Sequence, residues 1–385
     1  MLSPSPVRVT SSIHRTDFDI HGMVGVRVLG TTDDAAVVRR QLGPMDGELN
    51  RDPEILIRFV DTLAVGRLTL VGKDEYAHDD HGFYLLRARG KSRVRVRIDL
   101  DRLDDRTRPF EVVVERGAPA VPLLIALVNL FVLASGSLAL HACAFEYRGV
   151  GVVVTGWSKG GKTETLLTML GKGARYVGDE WVYLDGEGAT VAGIPEPVRI
   201  WDWYLDQMPG SGRMTPGLER TRLRLLAAAN GVGDLLQGGR LGTRTARLAR
   251  RADHLIRSQR HVDVDPEVLT NGELGSLRTS FDLLVLAEST PSPLTSISRI
   301  DARDVAGAMS ASLTYERGPL AAAHDAFRYS FPERRSRFLE SARVLEERRL
   351  RRILGDKPAW RLSHPYPAVL DDIGTALYPI LGGPR

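Results

Sequence analysis

The chain has 385 residues, 43% of them hydrophobic and 26% charged, with 52 Lys plus Arg against 48 Asp plus Glu. Such a composition supports a packed core and excludes disordered and fibrous classes, and a formal net charge of +4 is too small to argue for nucleic acid. The single cysteine, Cys143, excludes an intrachain disulfide framework and any zinc site built on cysteines.

The first twenty residues hold Arg8, Arg15, Asp17 and Asp19 and no apolar core, so no signal peptide is expected and a cytoplasmic location is. Alternation at Val24, Val26 and Val28, then LTLVG, FYLLRARG, RVRVRID and EVVVE, predicts strands broken by Gly, Asp and His-Asp turns. Among them, residues 33–62 read as helical, with Val37, Val38, Leu42, Ile55, Ile57 and Val60 as apolar positions. His78 and His81, in AHDDHG, belong to a turn, and their spacing brings no third metal ligand with it. A β-rich or mixed N-terminal domain over 1–117 is the expectation.

From Gly117 to Leu140 there is no charged residue, a run long enough to cross a bilayer. Pro119, Pro122, Asn129, Ser135, Gly136 and Ser137 interrupt it, and it leads directly to His141. A buried helix and link over 119–140 is therefore predicted, not stable membrane insertion.

Residues 138–193 read as an α/β unit: the strand GVVVT, a Gly-rich loop, and the helix KTETLLTMLGK closed by Gly171 and Gly173. A second strand RYVG follows, then the hairpin WVYLDGEGATVAG turning at Asp185-Gly186. Residues 205–280 read as a basic, partly helical insertion, with eleven Arg against Glu219, Asp234 and Asp253 between Arg213 and Arg260. Aromatic residues are missing from that basic stretch, so bases have no stacking platform and no nucleic acid is expected. The strand FDLLVLAES and helical patterns over 302–355 complete a second domain spanning 118–385.

The sharpest signal is Gly156-Trp157-Ser158-Lys159-Gly160-Gly161-Lys162-Thr163, with Glu164 next, a match to G-x-x-x-x-G-K-[ST] between a strand and a helix. Glycines let backbone N–H groups at the helix start wrap a phosphate. Lys162 would reach the β- and γ-phosphates of ATP or another nucleoside triphosphate, and the Thr163 hydroxyl would ligate Mg²⁺. Two adjacent carboxylates, Asp179 and Glu180, close the strand RYVG; one can hold a metal and one can accept a proton.

The segment from Leu140 to Asp185, with its Leu-His, its Gly-rich loop ending in GKTE and its strand closing on two carboxylates, resembles the catalytic core of the HPr kinase/phosphorylase family. That family shares its P-loop fold with phosphoenolpyruvate carboxykinase. The resemblance implies an α/β core of that type behind a smaller N-terminal domain. It further implies Asp179 as general base, Lys162 at the transferring phosphoryl group, Thr163 and Glu180 on Mg²⁺, and His141 assisting proton handling. Three departures stand out: Lys159 replaces a loop glycine, Glu180 replaces the usual Asp, and Pro197 stands where the family has a metal-binding Glu. Glu196 or Asp202 is the candidate substitute, and Arg199 falls in register with a family arginine.

The basic stretch reads either as a solvated helical face or as a lid, with Arg240 and Arg244 among glycines supplying transition-state charge. The expectation is a Mg²⁺- and ATP-dependent phosphotransferase acting on a hydroxyl, foremost a Ser or Thr of a peptide or protein such as a biosynthetic precursor peptide. A small-molecule hydroxyl, and a regulatory module that binds nucleotide without transfer, are the alternatives. Oligomeric state stays open.

Overall fold

The computed structural model describes residues 14–73, 75–89, 92–208, 211–215, 217–237 and 259–382. Alternating patterns in the first third fold into one eight-stranded sheet. Its strands are β1 His14–Ile20, β2 Val24–Gly30, β3 Ile55–Val60, β4 Thr69–Val71, β5 Tyr76–Asp79, β6 Gly82–Arg89, β7 Ser92–Ile98 and β8 Phe110–Glu115. They lie in the order β1-β2-β3-β8-β7-β6-β5-β4, with β3 parallel to both its neighbours. The α-helix inserted among them, α1 Thr32–Leu42, starts at a capping box in which the Thr31 hydroxyl and the Asp34 carboxylate satisfy each other's backbone N–H. The helical reading of 33–62 is corrected here. The helix stops at Leu42, and Ile55, Ile57 and Phe59 alternate on β3, all buried.

A nine-stranded sheet takes up the rest of the α/β architecture, ordered β16-β13-β12-β9-β10-β17-β19-β18 with β11 paired to β9. Its central members are β9 Leu138–Tyr147 and β10 Val150–Thr155, followed by β11 Arg175–Gly178, β12 Trp181–Leu184 and β13 Thr190–Gly193. A separate ribbon pairs β14 Val198–Trp201 with β15 His261–Val264. Strands β16 Arg278–Ser280, β17 Leu283–Ser289, β18 Ser296–Ile300 and β19 Ala359–His364 complete the set, with β10, β17 and β19 mutually parallel. The apolar run before His141 holds a buried helix, as expected, but the expected link up to residue 140 ends early. Helix α2 covers Leu124–Ala134, eleven residues, and Leu138 already belongs to β9. Among the described residues no helix is long and apolar enough to cross a membrane.

Side chains of the central strands alternate between two apolar cores. Val153, Leu284 and Leu286 face a core shared with α2, α5 Ala302–Glu316, α7 Arg337–Leu354 and the N-terminal sheet. Val152, Val154 and Val285 face a second core with α3 Lys162–Gly171 and α8 Leu370–Leu377. Helix α6 Gly318–Ser330 binds the C-terminal part back onto the first sheet, the Phe327 ring 5.5 Å from that of Phe83. Within the expected insertion 205–280, α4 Gly217–Gln237 is described, while Arg240 and Arg244 lie outside the described residues.

Candidate functional site

Strand β10 ends at Thr155 in the middle of the sheet, and the chain turns through Gly156–Gly161 into α3. The turn lies close against its neighbours. A β-carbon at Gly156 would come within 2.3 Å of the Ala287 carbonyl oxygen, and one at Gly161 (φ +106°) within 2.0 Å of His364 Nε2. Only glycine fits at either position. His364, buried on β19, binds the Gly160 carbonyl oxygen at 2.8 Å through Nε2 and the Pro365 carbonyl at 2.7 Å through Nδ1. No local motif announces His364, because it reaches the loop from some two hundred residues away.

Inside the turn, Lys162 is 6% exposed and its ammonium donates to the carbonyl oxygens of Trp157 at 3.1 Å and Gly156 at 3.4 Å. Lys159, another residue at positive φ, holds its ammonium 5.6 Å above the Trp201 ring. Trp157 points outward, 51% exposed, with its ring 5.0 Å from that of Tyr315. A cleft runs along this loop, and Ser158, Lys162, Thr163 and Glu164 line it together with His141, Glu180, Arg199 and Trp201. Behind the loop the Cys143 thiol donates to the Lys162 carbonyl at 3.1 Å, and burial pushes its ionisation well above the usual thiol range.

The two carboxylates turn opposite ways. Asp179 is 1% exposed and accepts from the Thr163 hydroxyl at 3.0 and 3.3 Å. Burial, then the adjacent Glu180 charge, push its carboxyl up to about 7. Glu180 has a φ of +61°, a costly conformation for a residue with a side chain, and it swings its carboxylate into the cleft. There Oε2 lies 2.9 Å from His141 Nε2, and that hydrogen bond holds Glu180 below the ordinary glutamate range.

His141, on β9, stands between two carboxylates, since Nδ1 is 3.1 Å from Glu316 Oε1 at the end of α5. Burial alone would lower its pKa, but the hydrogen bond to Glu180 and the nearby Glu316 carboxylate outweigh burial and leave it raised. Glu316 is another residue that no local pattern singles out.

Of the two candidate substitutes for a further metal ligand, Asp202 is held by Arg260 at 2.8 Å. Glu196 Oε1 and the other Asp202 oxygen, Oδ1, are both buried with no hydrogen-bond partner among the described residues. Burial, followed by the charges of Glu180 and Asp179, pushes the ionisation of Glu196 well up, which places it in the same electrostatic neighbourhood. Arg199 borders the cleft and pairs with Asp263 at 2.9 Å.

A Gly-rich turn at a helix start, with a lysine ammonium folded inside it, fits phosphate. Among the described residues no three His, Cys, Asp or Glu side chains converge as a closed metal cage. Thr163 and a buried carboxylate short of positive charge are nevertheless the kind of partial donor set that Mg²⁺ uses when phosphate oxygens and water supply the rest. No protein-family model matches the chain, and no curated protein matches it significantly.

Proposed function

We propose that this protein is a Mg²⁺- and ATP-dependent phosphotransferase of the HPr-kinase-like type, moving the γ-phosphoryl group to a hydroxyl. The observation that carries this reading is that Lys162, Thr163, Glu180 and His141 line one cleft, with Asp179 behind Thr163 and Glu316 behind His141. A phosphate cradle alone serves hydrolases, switches and kinases alike. A carboxylate–imidazole pair facing the same cleft adds a proton acceptor, which a bare nucleotide switch does not need.

The roles follow from access. A general base must come within hydrogen-bond reach of the hydroxyl it serves. Asp179 is buried against Thr163, so these two would hold Mg²⁺, which supplies charge neutralisation at the β- and γ-phosphates when bound. Glu180 faces the cleft and takes the acceptor proton. His141 fixes the Glu180 carboxylate from one side while Glu316 fixes His141 from the other. These assignments exchange the two carboxylates relative to those the family resemblance implies. A loose phosphoryl-transfer transition state asks more of positioning than of base strength, so a carboxylate held below its usual range still suffices. Lys162 leaves its loop carbonyls to meet the phosphoryl oxygens.

The test is incubation with labelled ATP alone, with Ser- and Thr-containing peptides, and with small hydroxyl compounds. Label in an acceptor, dependent on Mg²⁺ and lost in Lys162→Ala, supports the proposal. Release of free phosphate alone, unaffected by any acceptor, favours a nucleotide-binding regulatory module.

A further inference from the structure

Lys159 sits at a φ of +63°, a backbone setting that favours glycine, yet it carries a long cationic arm. Its ammonium lies 5.6 Å from the centre of the Trp201 ring, near the outer limit of a cation–π contact, about 6 Å. Trp201 ends β14 and lines the nucleotide cleft. The cleft extends past the phosphate cradle, where Leu167, one turn along α3 from Thr163, and Tyr204 border it together with Trp201.

The Trp201 indole is a half-buried plane held from two sides. It stacks on Trp203 with ring centroids 5.1 Å apart and planes 6° from parallel, and the His261 ring from β15 stands edge-on to it at 5.3 Å. Arg260 backs Trp203 in turn, its guanidinium 5.9 Å from that ring and bonded to Asp202 at 2.8 Å. Trp203, Arg260 and Asp202 line a separate cavity, so the two stacked indoles partition it from the nucleotide cleft. Lys159 lines the cleft too, so the face of Trp201 that it covers is the cleft side. Two polar groups beside that face are already engaged. Arg199 pairs with Asp263 at 2.9 Å, and the Tyr204 hydroxyl accepts from the Ala368 amide at 3.1 Å. What Trp201 offers a ligand is a flat π surface, whose complement is another planar ring.

Resting on the nucleotide-binding part of the phosphotransferase reading, we propose that Trp201 is the platform on which the donor's base stacks, with Lys159 lifting to cover the outer face of that base. The triphosphate then occupies the turn from Gly156 to Thr163, and the ribose bridges the two. An exposed lysine arm gives up a contact at 5.6 Å at little cost and regains a π face on the base. Stacking reads the flatness that every base has. Trp201 therefore separates nucleoside triphosphates from bare polyphosphate, rather than one base from another.

Calorimetric titration of MgATP and of magnesium tripolyphosphate, which has the phosphates without the base, into the full chain tests this. Melting curves check that each variant folds. Trp201→Ala should weaken MgATP binding at least about fivefold and leave tripolyphosphate binding within twofold of wild type. Equal weakening of both ligands, or unchanged MgATP affinity, overturns the platform. Trp201→Phe keeps an aromatic ring on Trp203 and covers the case in which Trp201→Ala does not fold. In wild type MgATP should quench tryptophan fluorescence beyond any effect of tripolyphosphate, and Trp201→Phe should lose that excess. No excess in wild type, or an undiminished excess in Trp201→Phe, overturns the platform. Wild type that binds tripolyphosphate as tightly as MgATP overturns the platform and leaves the phosphate cradle standing. Wild type that binds neither ligand overturns the nucleotide reading itself, and the platform with it.

Discussion

Asp179 and Glu180 are consecutive in the chain, yet one carboxylate is sealed against the Thr163 hydroxyl and the other reaches 2.9 Å from His141 in the open cleft. The left-handed backbone at Glu180 turns the chain out of β11 and into β12 while the two side chains point apart; extended geometry there would carry β11 straight on. Strain of this sort persists where surrounding structure over-determines it. Here the Ala142 amide donates to the Glu180 carbonyl at 3.1 Å and the Trp181 amide to the Asp179 carbonyl at 2.7 Å, pinning both sides of the turn.

The divergence predicts two distinct defects. Asp179→Asn should raise the Mg²⁺ concentration needed for half-maximal turnover. Glu180→Gln should lower kcat by about 10²–10⁴-fold with the Mg²⁺ requirement little changed. Steady-state titration of both variants against Mg²⁺ checks this, and matching profiles would return the pair to a common role.

Stability should carry the signature of Asp179. Its carboxyl is pushed from 3.8 up to about 7 by burial and by Glu180, so the folded state holds that proton more tightly than the unfolded chain does. Stability from this group is therefore present at low pH and lost as pH rises through the window from about 4 to about 7. Metal-free Asp179→Asn should melt above wild type at pH 8, by the equivalent of a few kcal/mol, with the advantage gone near pH 4. Thermal melts across that range decide it, and a pH-independent difference would contradict it.

Glu316 acts on the site through His141. Glu316→Gln removes one of the two carboxylates that raise the imidazole, so its titration midpoint should fall toward or below 6.5. The ion-pair contribution of His141 is present below 6.5 and lost as pH rises through its raised folded value, so the variant should lose it earlier on the alkaline side. Imidazole NMR titration reads the midpoint directly, and an unmoved midpoint would remove Glu316 from the account.

The nucleotide turn depends on contacts made far along the chain. Gly161→Ala would drive a methyl into the His364 ring at a backbone angle that side chains rarely adopt, so MgATP affinity should fall at least tenfold. His364→Ala in the Gly161→Ala background relieves the clash but not the backbone strain, and should restore affinity in part. Equilibrium binding of MgATP to the single and double variants checks both statements.

Much of this site was legible because its parts are local. The loop from Gly156 to Thr163 and the Asp179-Glu180 doublet each occupy a few consecutive residues, and their chemistry follows from residue type. His364 and Glu316 were not legible, because β19 and α5 bring them in through parallel pairing and helix packing that leave no local pattern. Fold reading failed where periodicity is ambiguous. Leu138 to Phe145 are buried on both faces of a central strand, so beyond Ser135–Ser137 their apolar run shows no alternation to mark it as a strand. The short run Ile55–Val60 carries too few alternations to set β3 apart from the helical pattern that ends at Leu42.

Packing of α2 offers a separate check on the shared core. Leu127 is fully buried between the two sheets, and Leu127→Arg places an unpaired charge there at a cost of several kcal/mol. The variant should lose cooperative thermal unfolding altogether, as followed by circular dichroism. A wild-type-like melt would mean that α2 does not lie in that core.

Phosphorus NMR of MgATP incubated with the full chain and candidate hydroxyl acceptors tests the central claim most directly. The account predicts that the γ-phosphate resonance declines as a phosphomonoester resonance grows in step with ADP, and that Lys162→Ala and Glu180→Gln each slow this by at least about 10²-fold. Unchanged ATP with every acceptor class, or release of inorganic phosphate alone at the same rate in wild type and Glu180→Gln, would contradict it.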